Sequence, residues 1–317
     1  MTSGIILACM YNEWASAEVL LRAVDLEFSR REWNWQLVLV DDGSREGRPP
    51  DFLNSLSSFT SAEIVVLRRN IGHQRAIAVG LSHIFETKKA EAVVVMDADG
   101  EDRPEDLVRL VEAHSTLSEI KIIFAERTRR SEGALFRFLY QIYRMLHFSL
   151  TGYRIRFGNF SIIPRKLLGS LVVDPNLWLH FAATVVSGHI PYTTIPSHRG
   201  IRLHGKSKLN FTSMVIHGLA AISCYNEIVG VRLIFCSLGL SAIILMLIIG
   251  VLTTRLATPW AIPGWAPSAV GVSCVLLLQA FLIVLAFIAV AISSRKSHFF
   301  FPLQQYKILI DEIDRVR

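Results

Sequence analysis

Residues 93–107 read VVVMDADGEDRPEDL. A run of β-branched residues stops at Met96, and six carboxylates follow within ten positions: Asp97, Asp99, Glu101, Asp102, Glu105 and Asp106. A short apolar run bounded by polar turn residues reads as a strand buried on both faces, the kind found in parallel sheets. Pro104 followed by Glu105 and Asp106 reads as the first turn of a helix. There proline's missing N–H costs nothing and acids meet the positive end of the helix dipole. That accounts for Glu105 and Asp106 but leaves Asp97 and Asp99. Residues two apart on an extended chain point the same way, so this pair can reach one cation together. Mg2+ or Mn2+ takes hard oxygen ligands, typically one or two carboxylates with the rest from water and phosphate.

The pattern around this stretch alternates. Apolar runs at 4–10, 36–40, 63–68, 92–96 and 119–125 read as strands. Between them, residues 15–30, 73–87 and 104–116 carry helical periodicity, with Leu20, Val24 and Phe28 on one face of the first and Ile77, Leu81 and Ile84 on one face of the second. Strands alternating with helices imply an α/β domain with a mostly parallel sheet covered on both faces. Such sheets bind ligands at the carboxyl ends of their strands. Three acidic loops follow strand ends here: Tyr11-Asn12-Glu13, Asp41-Asp42-Gly43-Ser44 and Asp97-Ala98-Asp99.

The 317-residue chain has a net charge of +6, unevenly spread. Residues 199–317 hold eleven Lys/Arg against four Asp/Glu. Residues 233–252 and 266–294 contain no charge, and each is long enough to cross the ~30 Å hydrocarbon core as a helix. The sequence predicts spans at about 232–253 and 267–293, forming a hairpin with Trp260 and Trp265 as interface anchors. Basic residues flank its outer ends: Arg199, Arg202, Lys206, Lys208 and Arg232 on one side, Arg295, Lys296 and Lys307 on the other. Lys/Arg excess stays cytoplasmic, so both termini and the first domain are expected in the cytosol of an integral membrane protein. The basic excess suits anionic headgroups, not nucleic acid. Residues 133–150 read as an amphipathic helix, either lying at the membrane interface or packed in a core, 211–228 as a second amphipathic helix leading into the first span, and 295–317 as a cytosolic tail. The start, MTSGIILACMYNE, lacks a basic n-region and is not expected to be a signal peptide. Cys9, Cys224, Cys236 and Cys274 show no CxxC spacing and read as reduced apolar fillers.

No GxGxxG follows a strand, and HExxH and Cys/His clusters are missing. Gly200 to Ser207 (GIRLHGKS) spells GxxxxGK[ST], but none of the apolar runs read as strands leads into it. This argues against a dinucleotide oxidoreductase, a P-loop NTPase and a zinc site.

The ordered set of Tyr11-Asn12-Glu13, Asp41-Asp42-Gly43-Ser44, Asn70-Ile71-Gly72-His73-Gln74-Arg75-Ala76 and Asp97-Ala98-Asp99 followed by Glu101-Asp102-Arg103-Pro104-Glu105 resembles glycosyltransferase family 2 and its GT-A fold. Downstream, Arg127 to Glu132, Tyr143-Arg144, Gly158-Asn159-Phe160 and Gly205-Lys206-Ser207-Lys208 resemble the polyisoprenyl-phosphate branch of that family. This branch includes dolichol-phosphate mannose synthases and bacterial undecaprenyl-phosphate glycosyltransferases. The resemblance covers roughly residues 4–292. It implies a GT-A domain over 1–210, a juxtamembrane helix over 211–230 and the hairpin over 231–294. It further implies that Tyr11, Glu13, Asp41 and Asp97 bind a nucleotide-sugar, and that Asp97, Asp99 and possible further ligand Glu101 hold Mg2+ or Mn2+. Arg127 and Arg130 would meet the phosphate of a polyprenyl-phosphate acceptor and act with Asp99 in catalysis. Lys206, Ser207 and Lys208 would close over the phosphates. Ser237 and Ser241, four apart in the first span, permit a homo-oligomer.

The sequence departs from the family pattern at Cys9 (usually Pro), Glu101 (usually Gln), Arg103 (usually Pro), Asn159 (often Asp) and Ser161 (often Arg). The expected activity is inverting, metal-dependent transfer of a sugar from a UDP- or GDP-sugar to a polyprenyl phosphate. Two rivals stand beside it. One is transfer to a glycan hydroxyl, whose processive enzymes usually carry QxxRW, a motif not found here. The other is a non-catalytic membrane subunit that binds nucleotide-sugar.

Overall fold

In the computed structural model, the described residues are 3–31, 33–49, 53, 56–127, 134–198, 200, 203, 211–257, 264–296 and 300–315. The chain divides into two units: one of residues 1–144, 153–224 and 299–317, the other of 145–152 and 225–298.

The first unit is built on eight strands: β1 (Ser3–Met10), β2 (Asn34–Asp41), β3 (Phe59–Leu67), β4 (Ala92–Asp97), β5 (Ile122–Arg127), β6 (Ser161–Pro164), β7 (Tyr192–Ser197) and β8 (Ile310–Arg315), in the order β7-β5-β6-β4-β1-β2-β3-β8. β1 pairs in parallel with β2 and β4, β2 with β3, and β5 with β7. β6 and β8 run antiparallel to their neighbours. The sheet is therefore mostly parallel and Rossmann-like, as the apolar runs require.

Its faces are covered by helices. On one face, Ile6, Ala8, Met10, Leu37, Leu39, Ile64, Val94 and Met96 join Leu20, Val24 and Phe28 of α1 (Trp14–Ser29) and Leu107, Leu110 and Val111 of α3 (Pro104–Thr116) in one core. Phe28 packs against Trp35 and Phe59 with ring centroids 5.6 and 5.8 Å apart, contacts worth about 0.5–1.5 kcal/mol each beyond their buried area. On the other face α2 (His73–Thr87) lies so close that a methyl added at Gly80 would stand 2.4 Å from Leu7 Cδ1. α5 (Arg165–Val172), α6 (Phe181–Ser187) and α7 (Phe211–Ser223) follow.

Residues 295–317 do more than the tail expected from sequence. α10 (Pro302–Leu309) leads directly into β8, which pairs with β3. Tyr306 donates to Glu86 Oε2 at 2.8 Å, and Lys307 lies 2.6 Å from the same oxygen. Arg68 meets Asp311 at 2.8 Å and Arg48 meets Asp314 at 2.5 Å.

The second unit is a hairpin of α8 (Asn226–Ala257) and α9 (Trp265–Lys296). Gly230, near the start of α8, receives the ring of Phe287 from late in α9; an added methyl would stand 2.2 Å from it. Both helices are long and apolar enough to cross a membrane, and almost none of either apolar window is buried within the protein. Two buried core helices would instead bury most of that surface. α4 (Ala134–Thr151) ends in this unit at Gly152, whose φ of +83° and N–H to Phe148 oxygen (2.7 Å) close the helix. Arg232 donates to the Ser149 carbonyl at 2.8 Å. All four cysteines are free thiols.

Candidate active site

The parallel register aligns the acidic loops. Cys9 stands beside Asp97 and Met10 beside Asp41, so β1, β2 and β4 end together. Their loops are laced by side-chain to backbone hydrogen bonds. Asn12, with φ of +49°, donates its N–H to Ser44 Oγ (2.8 Å), while its Oδ1 accepts from the Arg45 N–H (2.8 Å). Asp41 Oδ1 accepts from the Ser44 N–H at 2.9 Å. Asp42 reaches the next loop, accepting from Ile71 N–H (2.8 Å) and Gly72 N–H (3.0 Å) just ahead of α2. Burial pushes the Asp42 carboxyl up, against the lowering pull of those donors.

Gly43 lets these two loops touch backbone to backbone. Its φ is +68°, and a Cβ there would stand 2.5 Å from the Arg69 carbonyl carbon. Gly43→Ala is expected to cost about 1–3 kcal/mol through backbone strain and this clash. A lowered thermal midpoint, followed by tryptophan fluorescence in detergent, checks it.

The third acidic loop is braced from within. Asp102 Oδ2 accepts the Asp97 N–H and Asp99 Oδ1 accepts the Glu101 N–H, both at 2.9 Å. Asp99 is 7% exposed. His73, at the first turn of α2, places Nε2 2.8 Å from Asp97 Oδ1 and 3.1 Å from Asn159 Nδ2. Burial pulls the His73 pKa down, but Asp97, Asp99 and Asp102 outweigh it and raise the value to about 9. Gln74 donates to Asn159 Oδ1 (3.1 Å) and accepts from the Phe181 N–H (2.7 Å). A polar chain thus runs from Asp97 through His73, Asn159 and Gln74 to the start of α6. Burial, then Asp97 and Asp42, push the Cys9 thiol up, so it stays protonated beneath the loops.

A further segment docks on the third loop. Gly200 N–H donates to Glu101 oxygen (2.8 Å), Leu203 N–H to Asp99 oxygen (3.2 Å), and His198 N–H to Asp106 Oδ2 (3.0 Å). Gly100, at φ +89°, leaves room for the Leu203 side chain. This segment leads toward Lys206, Ser207 and Lys208, which lie outside the described residues, as do Arg130, the side chain of Arg127, Arg199, Arg202 and Trp260.

Of the residues singled out from sequence, Tyr11, Glu13, Asp41, Asp97, Asp99 and Glu101 gather in the loops at this sheet edge. Sequence reasoning assigned no role to Asp42, His73, Gln74, Asp102, or to Asn12 and Ser44 as braces. The doubled Asp at 41–42 and the DxDxxD spacing at 97–102 were the available signals. Among the described residues, no three His, Cys, Asp or Glu side chains form a ready-made metal cage. Asp97 and Asp99 do fit a hard divalent ion that takes its remaining ligands from water and phosphate.

Residues 5–170 match the family model described as Glycosyl transferase family 2, and the chain belongs to that family of glycosyltransferases. Curated relatives include two proteins named undecaprenyl-phosphate 4-deoxy-4-formamido-L-arabinose transferase. The one from Pseudomonas fluorescens (strain SBW25) is 24% identical over 265 residues, covering 82% of this chain and 76% of that protein. The one from Aeromonas hydrophila subsp. hydrophila is 36% identical over 106 residues, 33% of this chain and only 31% of that protein. Among solved structures, glucosyl-3-phosphoglycerate synthase from Mycobacterium tuberculosis, in complex with Mn2+, UDP-glucose and phosphoglyceric acid, superposes with a TM-score of 0.51 at 14% identity, over 72% of this chain and 80% of that one. That likeness establishes the shared GT-A fold.

Proposed function

We propose that this chain moves a sugar, with inversion, from a UDP- or GDP-sugar to a polyprenyl phosphate at the cytosolic face of a membrane. The observation that carries the reading is one polypeptide joining an acidic edge at the ends of β1, β2 and β4 to two bare apolar helices. A water-soluble donor needs the first and a lipid acceptor explains the second. The relatives' name, with its undecaprenyl phosphate, supports the same acceptor class.

Asp41, with Tyr11 and Glu13 beside it, would hold the nucleoside, and Asp97 and Asp99, joined by Glu101, would hold Mg2+ or Mn2+ at the diphosphate. When bound, such an ion supplies charge neutralisation for the departing nucleoside diphosphate. Asp102 and His73 keep Asp97 in place, and Lys206, Ser207 and Lys208, which follow docked Leu203 in the sequence, would close over the phosphates. Arg127 and Arg130 would grip the acceptor phosphate, a task suited to the guanidinium fork. A phosphate monoester is already ionised near neutrality, with its second pKa at about 6, so it attacks without a general base. Asn159 in place of an acid is therefore compatible with this acceptor and unfavourable for a hydroxyl acceptor, which must lose a proton.

Two crossings return the chain to the side it left, and β8, after the second crossing, pairs with β3; the Lys/Arg excess flanking the spans is what reads that side as cytosolic. α7 supports an interfacial position: Val215, Ile216 and Leu219 are exposed, while the His217 ring lies tilted against that of His180, centroids 4.4 Å apart.

The test is transfer of radiolabelled sugar into an organic-extractable lipid by the full chain in membranes, with UDP- and GDP-sugars offered in turn. Label in an acid-labile lipid is expected. A water-soluble product that lengthens with time would replace this reading with hydroxyl transfer. Nucleotide binding with no turnover on any donor and lipid pair would leave a binding subunit.

A further inference from the structure

We infer that β8, the strand that follows the membrane hairpin, completes the nucleoside end of the donor pocket, where the Arg48–Asp314 pair selects an oxo-base. This rests on the nucleotide-sugar reading above. A cavity of about 320 Å³ opens beside Asp41 and is lined by Trp14, Arg48, Ile64, Val66 and Asp314 as well. Register explains its composition. Asp41 stands opposite Val66, and Val66 opposite Glu312; one row back, Leu39 stands opposite Ile64, and Ile64 opposite Asp314. Side chains in register share a face, so Asp41, Ile64, Val66 and Asp314 look to the same side of the sheet.

Asp41 sits two strands from Asp97, about 10 Å at ordinary strand spacing. The cavity therefore continues the acidic edge outward, away from the carboxylates that suit a diphosphate. Its lining is wrong for a second phosphate, because Asp41, Asp314 and nearby Glu46 would repel one. It is right for a flat heterocycle: Ile64, Val66 and Trp14 offer apolar surface, and the rim offers a guanidinium and carboxylates.

Arg48 Nη1 lies 2.5 Å from Asp314 Oδ2, which sets the plane of the guanidinium. A guanidinium only donates hydrogen bonds and a carboxylate only accepts them. Uracil and guanine present a carbonyl oxygen beside a ring N–H, matching donor and acceptor together. Adenine presents an amino donor beside an unprotonated ring-nitrogen acceptor, the reverse order, and so mismatches a pair whose order is fixed by the Arg48–Asp314 contact. The strand after the hairpin thus contributes to base selection, and Asp314 acts as the positioning residue for Arg48.

The experiment is calorimetric titration of the detergent-solubilised full chain with UDP, GDP, ADP and pyrophosphate, each with Mn2+. The wild type should prefer UDP or GDP over ADP. Arg48→Ala and Asp314→Ala should weaken the preferred oxo-base nucleotide ~10–100-fold, the loss expected for a hydrogen bond to a charged group. ADP should change less than about threefold on the same scale, and pyrophosphate not at all. Arg48→Lys, which keeps the charge but loses the planar fork, should also lose the preference. Arg68→Ala breaks the Arg68–Asp311 pair on the same strand outside the cavity and should bind like wild type. Unchanged discrimination in both Arg48 variants would overturn the inference while leaving the donor reading intact. So would an equal loss for all four ligands, or the same loss in Arg68→Ala, since either marks general loosening of β8. A wild type that binds pyrophosphate but no nucleoside diphosphate would overturn the donor reading and this inference with it.

Discussion

Asp99→Ala is expected to lower sugar transfer by about 10²–10³-fold, or roughly 2.7–4 kcal/mol of transition-state stabilisation. The group removed is an almost buried carboxylate in the loop after β4, two residues from Asp97. On the proposed reading it helps neutralise charge on the leaving diphosphate through a divalent ion. Alanine also deletes the acceptor for the Glu101 N–H, so loop disorder could mimic a loss of charge. Asp99→Asn separates the two, because the amide oxygen can still accept that bond while the charge is gone. The asparagine variant should stay folded, lose most of its activity, and regain part of it at raised Mn2+. Wild-type rates in Asp99→Asn, with an unshifted metal response, would remove Asp99 from the metal site.

The largest effect on stability is expected away from that edge. Glu63 on β3 is 2% exposed, with His83 Nε2 2.8 Å from Oε1 and Lys88 Nζ 2.8 Å from Oε2. Burial pushes this carboxyl up, but the bonds from His83 and Lys88 outweigh it and hold the carboxyl below its ordinary range. Glu63→Ala strands both partners beside the core and should cost about 3–5 kcal/mol, the usual effect of removing one member of a buried pair. Because the folded carboxyl titrates below its unfolded value of about 4.3, its contribution is present above that pH. It is lost as pH falls through the folded value. Thermal midpoints measured from pH 7 down to 3 should therefore drop in the wild type and converge on those of the variant. Parallel curves across that range would show that Glu63 is not the acid-sensitive group. Replacing the group wholesale, with Glu63→Leu, His83→Phe and Lys88→Met together, should recover much of the loss, since apolar packing often equals a buried ion pair.

Several elements were legible because their signals are local. The continuous apolar runs yielded β1 to β5, and 73–87 and 104–116 are the bounds of α2 and α3. The two charge-free stretches lie within α8 and α9. The elements that escaped lack such a signal. β6 has four residues, too few for any period, and β7 carries Pro196 and is half-exposed. β8, IDEIDR, looks like a charged tail. Its charges are what an edge strand needs, since they discourage pairing with another chain. The helix expected over 211–228 is broken between Ser223 and Asn226, so α7 and α8 are separate.

The acidic loops could be found in the sequence because strand ends and carboxylates are both local facts. Alternation and charge-free length decided the class of sheet and the presence of apolar helices, since hydrophobic period and length are set by residue order alone. The partnerships were decided by the fold. Asp42 with Ile71, His73 with Asp97, Asn159 with Gln74 and Arg48 with Asp314 join residues 24 to 266 positions apart. A hydrogen bond or ion pair depends on ångström distances, and for residues so far apart along the chain those are fixed only when strands pair in register and helices pack on them.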